Sequence, residues 1–320
     1  MPGITTWAIP QTGVYLKDNI TGKTSQVGIY NSALCGCENK MELTGSGFNT
    51  LGIKTLNDVL SSNTEWIRID EIGYLESQCP EYLHMISLIM EHKHLLAVVR
   101  KQNLSHLNYL CQREDVFLID LDAPFRDIGC VIMASGLGKR FGANKLLTEF
   151  HNKPLISYIL DTTANLFPKR IVVTRHEAVA NICKGKDVEV ILHNLPHRSD
   201  TIRLGLEKLS DTKHCMFCMA DQPLLKQDTI AALALLATNV PSKIIRPLCK
   251  NIPGSPVIFP NSTYHELLKL PEGTGGGYII KQHPDLVHYL PIEDLNELED
   301  IDTPEDFLRL QQIPSYFKLK

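Results

Sequence analysis

Residues 127–147 run Asp-Ile-Gly-Cys-Val-Ile-Met-Ala-Ser-Gly-Leu-Gly-Lys-Arg-Phe-Gly-Ala-Asn-Lys-Leu-Leu. The apolar run Cys130 to Ala134 predicts a buried strand, and Gly136, Gly138 and Gly142 predict a loop at its carboxyl end. Glycine lets backbone N–H groups approach an anion that a Cβ would hold away. Arg140 offers a planar fork for phosphate oxygens, while Lys139 and Lys145 offer mobile point charges. A polyphosphate site over Ala134, Ser135, Gly136, Leu137, Gly138, Lys139, Arg140 and Lys145 follows. Taken alone, the same cluster also fits an ordinary strand-to-helix turn.

The stretches downstream favour the site. Apolar positions between Leu155 and Leu166, with Pro154 in the first turn, predict a helix packed on a sheet. Arg170 to Thr174 and Val188 to His193 read as further strands, so strand and helix alternate as in a doubly wound, mostly parallel α/β sheet. Such sheets bind ligands at the carboxyl ends of their strands. His197 to Gly205 places Arg198, Ser199 and Thr201 where Thr201 would open a helix, which suits a nucleotide or simple N-capping. His193 and His197 lack the glutamate of a zinc helix. The buried run Cys215 to Ala220 ends in Asp221-Gln222-Pro223, which fixes one carboxylate at the rim of the sheet. The Cys215/Cys218 pair lies inside that run and reads as buried strand thiols. Loops at Gly254-Ser255 and Gly275-Gly276 would form substrate walls or turns. Asp300 to Phe307 begins a helix, with Thr303 as cap, Pro304 at the first position and Asp306 closing the capping box. Asp300 and Asp302 share a side if extended, and one of them would meet Asp221 to hold a divalent ion.

Through Ala134-Ser135-Gly136 to Lys145-Leu146, Asp221-Gln222-Pro223, Gly254-Ser255-Pro256 and Asp300-Ile301-Asp302-Thr303-Pro304-Glu305-Asp306, residues 127–320 resemble the MobA-like nucleotidyltransferases. The molybdenum cofactor cytidylyltransferase branch is the most similar. The resemblance implies transfer of CMP from CTP to molybdopterin, with Mg2+ on Asp221 and Asp302 and with Arg140 and Lys145 on the outer phosphates. It also implies a molybdenum hydroxylase as receiver of the product. Another phosphorylated acceptor, such as a sugar phosphate, or a cofactor-carrying chaperone without turnover are the alternatives.

The first third divides from this part near residue 125, in the proline-interrupted segment Asp120 to Asp127, giving expected domains 1–125 and 126–320. Gly13 to Lys17 and Gln26 to Tyr30 read as strands of a hairpin, so Gly22-Lys23-Thr24 is a turn and not a phosphate loop. Trp66 to Gly73, Leu95 to Val99 and Val116 to Leu121 read as strands of a parallel sheet, with a helix over Glu81 to His92. Through Asp70-Glu71-Ile72-Gly73 and Leu75-Glu76, residues 10–122 resemble the small P-loop nucleoside-triphosphatase family. That family's first strand and phosphate loop would lie upstream of Met1. The expectation is a domain that hydrolyses no triphosphate and shows an open strand edge, unless the coding sequence extends upstream.

Composition agrees. A net charge of −4 with 43% apolar residues gives no basic excess for nucleic acid, and no apolar run is long enough for a membrane span. Nine cysteines without regular spacing, Cys35 and Cys37 among them, read as reduced thiols, and the expected location is the cytoplasm.

Overall fold

The computed structural model describes residues 1–34, 40–44, 46–138 and 140–313. Lys139, Cys35 and Cys37 lie outside the described residues. The chain forms two compact units, Met1–Leu118 and Ile119–Lys320.

The first unit carries β1 (Gly3–Ile9), β2 (Gly13–Asp18), β3 (Thr24–Tyr30), β4 (Met41–Leu43), α1 (Ile53–Leu60), β5 (Trp66–Ile72), α2 (Pro80–His92), β6 (His94–Val99) and α3 (Ser105–Cys111). Its sheet has the order β4-β3-β2-β1-β5-β6. The sheet is mixed and not parallel throughout. Adjoining strands β1 to β4 pair antiparallel, and only β1–β5 and β5–β6 are parallel. The short β1–β2 and β2–β3 connections allow nothing else, whereas α2 is the crossover that a parallel β5–β6 pair requires. In the hairpin turn the Asp18 carboxylate accepts from the N–H groups of Ile20 and Thr21, which accounts for Gly22-Lys23-Thr24 without any anion. Residues 116–121 form no strand, and Phe117, Leu118 and Leu121 are exposed. The sheet therefore ends at β6, where Leu96 and Val98 are also exposed. Helix α2 buries Tyr82, Met85, Ile86 and Ile89, one stripe at helical spacing, on the core around Leu16, Val27, Ile67 and Ile69.

The second unit carries β7 (Ile128–Ala134), a small hairpin of β8 (Glu149–Phe150) and β9 (Lys153–Pro154), α4 (Ile156–Thr162), β10 (Lys169–Thr174), α5 (Glu177–Cys183), β11 (Glu189–Leu192), α6 (Arg198–Glu207), β12 (His214–Met219) and α7 (Gln227–Asn239). It continues with β13 (Ile244–Cys249), β14 (Ile252–Pro253), β15 (Val257–Pro260), α8 (Tyr264–Leu267), α9 (Gly277–Gln282), β16 (Val287–Pro291) and α10 (Pro304–Gln311). The main sheet runs β11-β10-β7-β12-β15-β13-β14, with β16 also on β13. Strands β11, β10, β7 and β12 are mutually parallel, and β15 pairs antiparallel with both β12 and β13.

All seven residues of β7 are buried. Cys130, Ile132 and Ala134 join a core with α4 and α7, while Val131 and Met133 join another with α6 and α8. A central parallel strand covered on both faces is apolar at every position, which is why Cys130 to Ala134 reads as a continuous run. Two helix starts differ from the sequence reading. Pro154 belongs to β9, paired with Glu149, so α4 begins after it. Helix α6 begins at Arg198, because the Asp200 carboxylate accepts from the His197 N–H and closes the turn three residues before Thr201. The start of α10 is as read: Thr303 Oγ1 accepts from the Asp306 N–H and the Asp306 carboxylate accepts from the Thr303 N–H.

Candidate active site

The parallel register sets the rim. Thr174 pairs with Ala134 on one side and Leu192 on the other, so Ser135, Arg175 and His193 follow side by side at the carboxyl ends of β7, β10 and β11. On the far side of β7, Met219 pairs with Met133, which brings Ala220 and Asp221 to the same edge. A cavity of about 420 Å³ opens there. Ser135, Gly136, Gly138, Arg140, Lys145 and Asp221 line it, together with Leu137, Arg175, Arg198, Thr201 and Asp302.

The loop after β7 is shaped by Gly138, whose φ is +57° and where a Cβ would stand 2.2 Å from the Ala143 carbonyl oxygen. Phe141 and Gly142 both donate their N–H groups to the Gly138 carbonyl. His176 Nε2 lies 2.9 Å from the Gly136 carbonyl oxygen, tying the loop to the end of β10.

Lys145 is the hub. It is 8% exposed, and its Nζ lies 2.6 Å from Asp221 Oδ2 and 3.0 Å from Asp302 Oδ1. Burial, the largest single influence on the ammonium, would strip its proton, but Asp221 and Asp302 outweigh it and hold the group above its ordinary value. Asp302 Oδ2 accepts from Arg140 at 2.8 Å. Burial opposes ionisation of Asp302 as well, yet Lys145 and Arg140 outweigh it and hold this carboxyl below its ordinary value. Both oxygens of Asp302 therefore face cations.

Asp221 Oδ1 is buried and has no hydrogen-bond partner among the described residues. The Ile301 N–H donates to the Asp221 carbonyl oxygen, which places Asp300 beside it. Asp300 is exposed. Partial desolvation by the surrounding protein, then the charges of Asp221 and Asp302, push its carboxyl up to about 7. Among the described residues no group of three or more His, Cys, Asp or Glu is arranged to hold a metal. Asp302 is engaged by Lys145 and Arg140, and Asp221 by Lys145, while Asp300, two positions away, faces the charges of both acids.

Other sequence candidates fall at different distances from the cavity. Ala134 and Ser199 are buried just behind its lining. Gly275 packs on Arg198, where a Cβ would meet the guanidinium Nε at 3.3 Å, so the 273–276 turn backs that arginine. Gly254, Ser255 and Gly276 do not line it; Gly254 packs on Leu298 and Gly276 under the Phe259 ring. Arg175, His176 and Pro196 escaped the sequence reading. Arg175 and His176 directly follow a strand, and the rule that ligands sit at carboxyl ends points to them.

Residues 130–287 match the family model described as the MobA-like NTP transferase domain, and residues 29–131 match the model described as NTPase. The molybdenum cofactor cytidylyltransferase of Escherichia coli is 24% identical over 195 residues, which cover 58% of this chain and 96% of that protein. The bifunctional protein GlmU of Thermosipho melanesiensis is 26% identical over 193 residues, covering 55% of this chain, and the match spans only 41% of that protein's length. The crystal structure of Rv0371c from Mycobacterium tuberculosis superposes with a TM-score of 0.52 at 21% identity, over 59% of this chain and 100% of that one. That likeness concerns the fold. No helix among the described residues is long and apolar enough to cross a membrane.

Proposed function

We propose that the MobA-like NTP transferase domain carried by this chain transfers the nucleoside monophosphate of CTP to the terminal phosphate of molybdopterin, releasing pyrophosphate. One observation carries the reading: a buried, protonated Lys145 held between Asp221 and Asp302 at the mouth of a glycine loop, in a cavity that Arg140, Arg175 and Arg198 also line. Such a site suits a triply charged chain of phosphates and no neutral substrate.

The Gly136 to Gly138 backbone and Arg140 take the outer phosphates. Lys145 keeps its charge inside the cleft and neutralises the charge that develops between the α-phosphate and the departing pyrophosphate. An oxygen of the acceptor phosphate attacks the α-phosphorus in line, and the bond to the β-bridging oxygen breaks. A phosphate monoester is already an anion near neutral pH, so alignment and charge stabilisation suffice without a protein nucleophile. A divalent cation, Mg2+ in this reading, would be held by Asp221 and Asp300 with phosphate oxygens and would neutralise the α-phosphate. The partnerless Oδ1 of Asp221 and the all-oxygen donor set fit a hard ion. The reading implies a cytoplasmic protein that hands its product to a molybdenum hydroxylase.

The cytidylyltransferase relative, matched over nearly its whole length, supports molybdopterin as acceptor. A second reading takes a sugar phosphate as the acceptor. Incubation of the full chain with Mg2+, each labelled triphosphate in turn and either molybdopterin or a sugar 1-phosphate tests both. Pyrophosphate and a cytidine dinucleotide appearing only with CTP and molybdopterin is the expected result. Product with the sugar phosphate alone replaces the first reading with the second.

A further inference from the structure

Gln222 follows Asp221 just past the end of β12, is 2% exposed and does not line the cavity. One contact orients its side-chain amide: Nε2 donates to the Leu298 carbonyl oxygen at 3.0 Å, and turning the amide over would set oxygen against oxygen. Oε1 is then left buried with no hydrogen-bond partner among the described residues. An orphaned buried acceptor lowers stability, and an apolar side chain of the same length would not carry one. The donation to Leu298, and not packing, is what accounts for a glutamine here.

That bond falls on the segment bearing the other acids of the site. Glu297, 4% exposed, accepts through Oε2 from the Lys226 N–H at 3.2 Å and from the Thr229 hydroxyl at 2.5 Å, which fixes the segment to the start of α7. Gln222 holds Leu298, and the Asp221 carbonyl oxygen accepts from the Ile301 N–H at 3.0 Å. Ile301 is fully buried, and the next residue, Asp302, reaches Lys145, whose Nζ returns to Asp221. The main chain and side chain of Asp221 thus close a ring through Ile301, Asp302 and Lys145. A single hydrogen bond at Ile301 would let the segment pivot. The second, from the adjacent residue to Leu298, stops it. We infer that Gln222 is a positioning residue that locks residues 298–302 against the end of β12 and so fixes where Asp300 and Asp302 stand relative to Lys145 and Asp221. The effect on turnover rests on the proposed transfer reaction, whereas the lock itself is a property of the folded chain.

Gln222→Met keeps the length of the side chain and removes the donor. Native-state hydrogen exchange of the full chain, followed at the Ile301 N–H, reads the lock directly. Exchange there should quicken about tenfold, the consequence of losing one buried hydrogen bond, while the amides of β7 and β12 keep their protection. Pyrophosphate release from CTP with Mg2+ and molybdopterin should fall at least about tenfold, because the acids are misplaced. Calorimetric affinity for CTP should stay within about threefold, since the glycine loop and its cations remain. A merely structural Gln222 would instead quicken exchange across the whole sheet by one common factor. If Gln222→Met loses its thiol protection, Gln222→Asn, whose shorter amide falls short of Leu298, carries the same measurements. Exchange at Ile301 that is unchanged, or raised equally in β7 and β12, overturns the lock. Undiminished turnover with quickened exchange at Ile301 overturns its role in placing the acids. An unmodified protein without turnover, whose variant still shows the local change in exchange, overturns the transferase reading and leaves the lock standing.

Discussion

Replacing Lys145 by methionine keeps the length of the side chain and removes its charge. In the folded protein this leaves Asp221, 8% exposed, beside Asp300 and Asp302 with no cation between them. Removing one partner of a buried ion pair typically costs about 3–5 kcal/mol, because the remaining charge stays desolvated. The pair here is solvated at one edge, so about 3 kcal/mol is the expected loss for the second unit. Arg140→Ala provides the contrast. Its pair with Asp302 has side chains 71% and 37% exposed, and such surface pairs contribute less than about 1 kcal/mol. Both variants should weaken triphosphate binding by about tenfold or more, since each removes a charge-assisted hydrogen bond. The two effects separate by probe. Both tryptophans, Trp7 and Trp66, lie in the first unit and report only on it. Buried Cys130, Cys183, Cys215 and Cys218 lie in the second, so urea-dependent thiol labelling at those positions reads its unfolding. The cost of Lys145→Met should shrink toward pH 5, where protonation of a carboxyl removes the unpaired charge. Equal stability of the two variants, or a Lys145→Met cost below about 1 kcal/mol at pH 8, would refute the assignment of Lys145 as the buried counter-ion.

Gly138→Ala forces a Cβ onto the Ala143 carbonyl oxygen at 2.2 Å and a side chain onto φ +57°, so triphosphate binding should fall by at least tenfold with little change in thiol protection; unaltered binding by calorimetry contradicts the loop's role. Glu76 is buried, and that burial pushes its carboxyl from the usual 4.5 to about 7. The folded state thus holds the proton longer than the unfolded one. Stability from this group is complete below pH 4.5 and lost as pH rises through 7, on the order of 3 kcal/mol in all. Tryptophan-monitored unfolding should show this slope, and Glu76→Gln, which still accepts from the Gly73 N–H, should flatten it. Asp70 and Glu71 are ion-paired with Arg68 and Arg100, and Asp70→Asn or Glu71→Gln should leave release of inorganic phosphate from ATP at background; a rate that falls with either change would restore a triphosphatase to the first unit.

What was legible in the sequence was local. The run Cys130 to Ala134 with its glycine loop, the lone acid after Cys215 to Ala220, and the Thr303 capping box each lie within one short stretch, and near-neighbour chemistry suffices to read them. Alternation of apolar segments likewise shows an α/β chain, because a strand covered on both faces has to be apolar throughout. Pairing was not legible. Residues 3–9 gave no sign of lying between β2 and β5, and residues 116–121, apolar enough for a strand, found no partner in the sheet. A strand is completed by a neighbour that its own residues do not specify. The acids show the same limit: Asp300 and Asp302 are two positions apart and chemically identical, and only the folded chain directs Asp302 to Lys145 and Arg140 while leaving Asp300 exposed. Ser135, Arg175 and His193 carry no joint motif, since dozens of residues separate them in the chain. The register of three parallel strands sets them side by side, and hydrogen bonds to Val173 and Leu195 then decide which of their atoms donates and which accepts.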